Sequence, residues 1–519
     1  MDSTSPPPAP PLADAADDYI SQKKKFRCDA QQRVQNHDRI SALPDDMLIK
    51  ILSLMTVREA AVTDCLLNRW RHLWENTDHL VLDWDAFGMH LSEKPDSSNL
   101  EATEFVNKTN LPNHNGTRIR KFEVNFPLSS AHASELDRWV EFAAASGSEE
   151  LNFILSGSDG MVPTKPAEPY SFPLKYFVDL SGCRLRRLLL FACRLEMAPA
   201  YLSGFSYLEA LRLNCVSVVD SVVQNMMSCC CALRHLSLRR CHQLINVRTC
   251  HAKLVHLEFL LCKRLVSISI HAEKLRSFSY EGRKINIDYE CALVNECPLY
   301  FIGALPKLKT LILQFPSPVQ VPCVLQHSAG FATLKEIMLC LLTPWEKSIR
   351  SVVYLLKAAP RVEVLKLEVY GNSLQPLTEL KIKWPKKCTL KRLHAIRIGG
   401  FSGEPELMEL LVFLLGRSPV LKTLLIDTHR SYYKACCNKW KREVSQDDTR
   451  CNYARELALS HLAPIVPTTV KFNNHDRISA LPDDILIKIL SLLSLRDAAV
   501  TQSFHQMETP LAERRQSEP

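Results

Sequence analysis

No uninterrupted apolar run in the chain approaches the roughly 18 residues that a membrane-spanning helix needs, so no membrane partner is expected. The motifs G-x-x-x-x-G-K-[ST], H-E-x-x-H and G-x-S-x-G are also missing, as is a G-x-G-x-x-G placed after a strand. Phosphate cradling, zinc proteolysis, a strained serine nucleophile and dinucleotide binding therefore lack their minimal residues, and neither a catalytic residue nor a cofactor is expected. Asp83 and Asp85, which flank Trp84, read as a solvated strand end and not as an acid/base pair. Charge of one sign is lacking too. The 64 basic and 56 acidic residues are spread along the chain, and a net charge of +8 distributed in this way is not a nucleic-acid footprint. The Pro-rich, charged N-terminal stretch has no secretory-signal pattern, and 19 cysteines in such a context are expected as reduced thiols, in cytoplasm or nucleus.

Those cysteines also lack zinc spacing. Cys229, Cys230, Cys231, His235, Cys241, His242, Cys250 and His251 crowd together, yet no closely spaced cysteine pair is followed by a matching second pair, so no metal is expected. Cys193, Cys241 and Cys262 instead each follow by eight residues a leucine that opens a sequence repeat.

That repeat, L-x-x-L-x-L, is the dominant pattern present. It opens at Leu185, Leu208, Leu233, Leu254, Leu275, Leu308, Leu334, Val362, Leu393 and Leu421, with successive starts 21 to 33 residues apart. A leucine-rich repeat has a period of about 20–29 residues, and each repeat contributes one short strand whose leucines enter a shared core. The reading is an α/β chain whose repeats, over residues 115–430, stack into a solenoid with a curved parallel β-sheet. Ile119/Phe122/Val124 and Leu151/Phe153 read as two degenerate earlier turns, and Ser156–Pro173 as an inserted loop. Alternate strand residues face opposite sides, so the positions between the second and third leucines point away from the core. Arg212, Ser237, Glu258, Ser279, Lys366 and Arg397 occupy them and are the candidate ligand-facing residues.

Asn36–Thr63 recurs as Asn474–Thr501 with five differences over 28 positions. In the first copy, Leu43-Pro44-Asp45-Asp46 is a helix start, with Pro suited to the first turn and carboxylates facing the positive end of the helix dipole. Leu48, Ile51, Leu52 and Met55 follow at helical spacing, Arg58–Cys65 can form a second short helix, and Trp70 and Trp74 stand four apart on a third. So small a unit buries too little to be stable alone and leaves apolar surface for a partner.

The LPDD start, the REAAVT step and RWRHLW, in order over Asp38 to about Asp83, make this segment resemble an F-box, the adaptor-docking module of SCF ubiquitin ligases. The family's Thr-Ser-Val-Leu-Ser run reads Thr63-Asp64-Cys65-Leu66-Leu67 here. The resemblance implies that Leu43, Pro44, Leu48, Ile51, Leu52 and Leu54 dock on a Skp-type adaptor, and through it a cullin scaffold, while Trp70, Leu73 and Trp74 brace the three-helix module. Strand, helix and strand over residues 390–427 are similar to the FBD segment of plant F-box/LRR proteins. The implied role is that of a substrate receptor holding an unidentified protein on its repeats, an adaptor rather than an enzyme.

The expected organisation is a disordered tail over 1–36, the F-box over 37–84, the repeats, a linker over 431–473 and an F-box-like copy over 474–505. That second copy keeps Leu481, Pro482, Leu486, Ile489, Leu490 and Leu492 but lacks the tryptophans of a third helix, so it is expected to be inert. Two other readings remain open from sequence: a repeat-protein binder or inhibitor with a vestigial F-box, and a rearranged gene product without a settled role.

Overall fold

Each L-x-L step of the repeat lays down one short parallel strand. The computed structural model describes residues 40, 43–55, 63, 70, 73–83, 119–126, 128–155, 168–177, 183–196, 205–283, 286–288, 305–314, 329–342, 345–370, 384, 388–429, 431–434, 439–442, 448–467 and 470–473. They fall into two compact units, one reaching Val362 and including residues 431–442, the other formed by residues 363–430 and those from 443 onward.

In the first unit the strands β1 (His79–Asp83), β2 (Lys121–Asn125), β3 (Glu150–Ile154), β5 (Arg187–Phe191), β7 (Ala210–Asn214), β8 (His235–Arg239), β10 (His256–Leu260), β12 (Ser277–Glu281), β14 (Thr310–Gln314) and β15 (Glu336–Leu342) pair in that order, all parallel. Equivalent residues stand opposite one another: Leu188, Leu211, Leu236, Leu257, Phe278 and Leu311 form one row, Leu190, Leu213, Leu238, Phe259, Tyr280 and Leu313 another. Both rows are buried, so each strand closes the core of its neighbour. The two degenerate turns are β2, with Phe122 and Val124, and β3, with Leu151 and Phe153. β1, carrying buried Leu80 and Leu82, begins the sheet inside the span the sequence gives to the F-box and ends at Asp83, which the sequence reads as a strand end.

Parallel strands need returns on the far side. Longer steps hold helices, α2 (Ala133–Ala145) after β2 and α3 (Asp220–Cys229) after β7. The shorter steps opening at Leu233 and Leu254 have room only for the strands β9 (Asn246–Cys250) and β11 (Ser267–His271), which with β13 (Asn286–Asp288) make a second parallel sheet. A smaller pair, β4 (Tyr170–Ser171) with β6 (Cys193–Arg194), does the same service nearer the N-terminus.

The chain leaves four strands through a left-handed residue, Ala192, Cys215, Arg240 and Leu261, with φ of 59°, 53°, 50° and 56°. The turn drives the next side chain inward, and Cys193, Cys241 and Cys262 are buried there. Their thiols donate to strand carbonyls: Cys193 to Phe191 at 3.7 Å, Cys241 to Leu213 at 3.6 Å, Cys262 to Leu238 at 3.5 Å.

α4 (Trp345–Ala358) follows β15 in the first unit. In the second unit β16 (Val364–Tyr370), β17 (Ala395–Gly399), β18 (Thr423–Ile426) and β21 (Lys471–Asn473) pair in parallel, with α5 (Pro405–Arg417) returning between β17 and β18. This is the strand-helix-strand read from sequence.

The span 431–473, read from sequence as a linker with little periodicity, carries regular structure. That span contains an antiparallel hairpin of β19 (Ser431–Lys434) and β20 (Lys439–Arg442), then α6 (Asp448–Leu462), then β21. The inward face of α6 consists of Cys451, Ala454, Ala458 and Leu462, and small residues among charges give too weak an apolar period to read from sequence.

Candidate interaction surfaces

Helix α1 (Asp45–Leu52) begins after Pro44, with Asp45 and Asp46 in its first turn and Lys50 in its last, as the dipole favours. The Leu48 amide donates to the Pro44 carbonyl at 3.1 Å. Leu48 and Leu52, four apart on one face, are 0% and 1% exposed, and Trp70 covers them at 4%. Leu43, Met55 and Leu73 pack against this cluster, partly buried.

The placement corrects part of the docking surface. Leu48 and Leu52 face inward, where Trp70 covers that side of the helix, and both are buried in the module's own core. Leu43 lies at the edge of the same cluster. What remains outward is Leu54 at 85% exposure, Met47 at 45%, exposed Pro44 and half-buried Ile51. Met47 was missed because the stripe was read from Leu48, although an outward apolar residue beside the helix start carried the signal. Of the expected bracing residues, Trp70 is buried in this cluster and Leu73 packs against it. The Trp74 side chain and, apart from Thr63, the second helix expected over Arg58–Cys65 lie outside the described residues, as does the whole copy from Asn474 to Thr501.

Four of the six ligand-facing candidates share one face of the first unit's sheet, and the other two share a face in the second unit. Arg212, Ser237, Glu258 and Ser279 stand opposite one another on β7, β8, β10 and β12, and Lys366 stands opposite Arg397 on β16 and β17 of the second unit. They are not equally available. Ser279 is buried. Ser237 donates to the Glu258 carboxylate at 2.6 Å, and the Arg239 guanidinium grips the same carboxylate, Nε to Oε2 at 3.1 Å and its terminal nitrogen to Oε1. Glu258 is thus largely neutralised by a ladder across two strands. Burial raises the Glu281 carboxyl above its usual range despite the nearby Arg239 and Arg240.

The row two residues earlier shares this face, since strand side chains repeat every second residue. There the His235 and His256 rings stack with centroids 4.4 Å apart and planes at 6°. Burial, then His256, then Arg212, Arg234 and Arg187 push His235 down to about 4, so it is neutral near pH 7. Burial, with Arg234 and Arg276, lowers His256 in the same direction. Sequence reasoning stopped at the middle residue of each strand and missed both histidines, which the same two-residue period would have supplied. Among the described residues, no three His, Cys, Asp or Glu side chains gather as a metal site.

A family model described as the At1g61320/AtMIF1 LRR domain matches residues 111–477. Among relatives from Arabidopsis thaliana, the F-box/FBD/LRR-repeat protein At1g13570 is 25% identical over 422 residues, covering 76% of this chain and 92% of its own length. The FBD-associated F-box protein At4g10400 is 24% identical over 408 residues, 75% of this chain and 93% of that one. The F-box/FBD/LRR-repeat protein At5g56420 is 24% identical over 437 residues, 76% and 92% respectively. With a braced helical module ahead of the repeats, and strand, helix and strand closing them, the chain belongs to the plant F-box/FBD/LRR-repeat proteins.

Proposed function

We propose that this protein is a substrate-recognition subunit of an SCF-type ubiquitin ligase, in which the F-box docks a Skp-type adaptor and the open face of the repeats holds a protein substrate. The observation that carries the reading is the division of labour at α1: Leu48 and Leu52 are spent on the module's own core, while Met47 in the helix and Leu54, two residues past its end, are exposed. A small module that exposes large apolar side chains is built to cover them with a partner. The chain itself is non-catalytic and supplies proximity, raising the effective concentration of a target lysine near a charged conjugating enzyme. Cytoplasm or nucleus, where thiols stay reduced, is its compartment.

The test is proximity labelling from the full chain with the proteasome blocked, repeated with Met47→Glu and Leu54→Glu combined. Proteins labelled by both forms but ubiquitinated only beside the unmodified chain support the reading. Equal ubiquitination beside both forms refutes it and favours a repeat-protein binder that acts by occupancy.

A further inference from the structure

We propose that the open face of β7, β8, β10 and β12 receives a short protein segment carrying clustered anionic oxygens, held by Arg212, Arg234 and Arg276 around the stacked rings of His235 and His256. The inference rests on the substrate-receptor reading and names the class of substrate.

Its first support is convergence. The row of starting residues on neighbouring strands puts His235 opposite His256, with Arg212 on the adjoining strand and Arg234 and Arg276 at the strand entries. Arg234, His256 and Arg276 are exposed, and Arg212 and His235 half-buried. The second support is a difference in pairing. Arg186 is matched by Glu209 at 3.1 Å, Arg187 by Glu150 at 3.0 Å, and Arg239 by Glu258. Among the described residues Arg234 and Arg276 have no carboxylate within ion-pair distance, so two cations beside the histidine pair are left uncompensated. Guanidinium groups offer planar forks of N–H donors suited to carboxylate and phosphate oxygens. Neutral imidazoles add N–H donors at the same spot without further repulsion.

The extent of the patch limits the ligand. Strands about 4.8 Å apart make four of them span roughly 15 Å. The carboxylates of Glu209, Glu258 and Glu281 are interleaved there, which suits one or two anionic groups and would repel a continuous phosphate backbone. A protein segment bearing a phosphate or a pair of carboxylates fits; a nucleic acid does not.

The test uses the full chain and three fluorescent octapeptides: one rich in glutamate, one with a single phosphoserine among glycines, and a glutamine-rich neutral one. Binding is measured by anisotropy at several salt concentrations. The expected result is that at least one anionic peptide binds, more weakly as salt rises, while the neutral one does not. Arg234→Glu with Arg276→Glu should weaken it at least tenfold, and the milder Arg234→Gln with Arg276→Gln should weaken it in the same direction with an unchanged melting curve. The same charge reversal at Lys263 and Arg264, exposed in a turn beyond β10, should leave affinity within twofold. Which anionic peptide binds separates phosphate from carboxylate. Equal binding of all three peptides, no binding of either anionic one, or equal losses from both charge reversals would overturn the proposal. Adaptor recovery by the same variants reports separately on the receptor reading, which stands if only peptide binding fails.

Discussion

Gly399 has no room for a methyl group. It pairs in register with Glu368, whose side chain is buried at 3% exposure, and a Cβ built on Gly399 would lie 2.3 Å from Glu368 Oε2 and 2.8 Å from both Cδ and Oε1. Gly399→Ala must therefore displace a buried carboxylate. Overpacking of this kind costs about 1–3 kcal/mol. In a unit of this size each kcal/mol moves the melting temperature by about 2–4 °C, so a fall of roughly 2–12 °C is expected. Because a chain of two units need not melt in one step, the assay is thermal melting together with amide exchange, and faster exchange should be confined to peptides from β16 and β17. Removing the obstruction supplies the control. Glu368→Ala combined with Gly399→Ala should be more stable than the sum of the single losses, by a coupling of about 1–3 kcal/mol. An unchanged melt for Gly399→Ala, or strict additivity in the double variant, would refute the packing argument.

Three further outcomes follow from the geometry. Ala192→Gly relieves a left-handed alanine at φ 59°, and the relief of about 1–2 kcal/mol outweighs glycine's entropic cost of about 0.5–1, so the variant should melt slightly higher in a denaturant titration. His235, held below its ordinary value down to about 4, stabilises the fold fully above pH 6.5; that contribution should be lost as pH falls from 6.5 toward 4, and His235→Gln should flatten this part of the stability profile. Burial pushes the Cys230 thiol up to about 12, so brief alkylation of the native protein at pH 8 should label the exposed Cys231 and Cys250 and spare Cys230 and Cys193, read by peptide mass.

The solenoid was legible because its signal is additive: every L-x-x-L-x-L places two leucines in the same two buried rows, and even the degenerate Phe122/Val124 and Leu151/Phe153 keep the period. Repeat length also carried information about the returns, since the closely spaced leucines at Leu233, Leu254 and Leu275 leave space only for strands. What sequence hid were features decided by neighbours distant along the chain. Whether the face of Leu48 and Leu52 looks inward depends on Trp70 covering it, and a helical period alone has no sign. α6 presents alanines, which pack closely but barely register as an apolar stripe. Glu258 reads as an exposed charge until Arg239 and Ser237 are brought beside it by register.

The central claim is that the first F-box, through its outward apolar residues, recruits one adaptor. Native mass measurement of the full chain co-expressed with a Skp-type adaptor tests this most directly. The account predicts a complex with one adaptor per chain, kept when Asn474–Pro519 is deleted and lost with Met47→Glu and Leu54→Glu while the repeats stay folded. Absence of the adaptor from the purified chain, or its retention by the Met47/Leu54 variant, would contradict it.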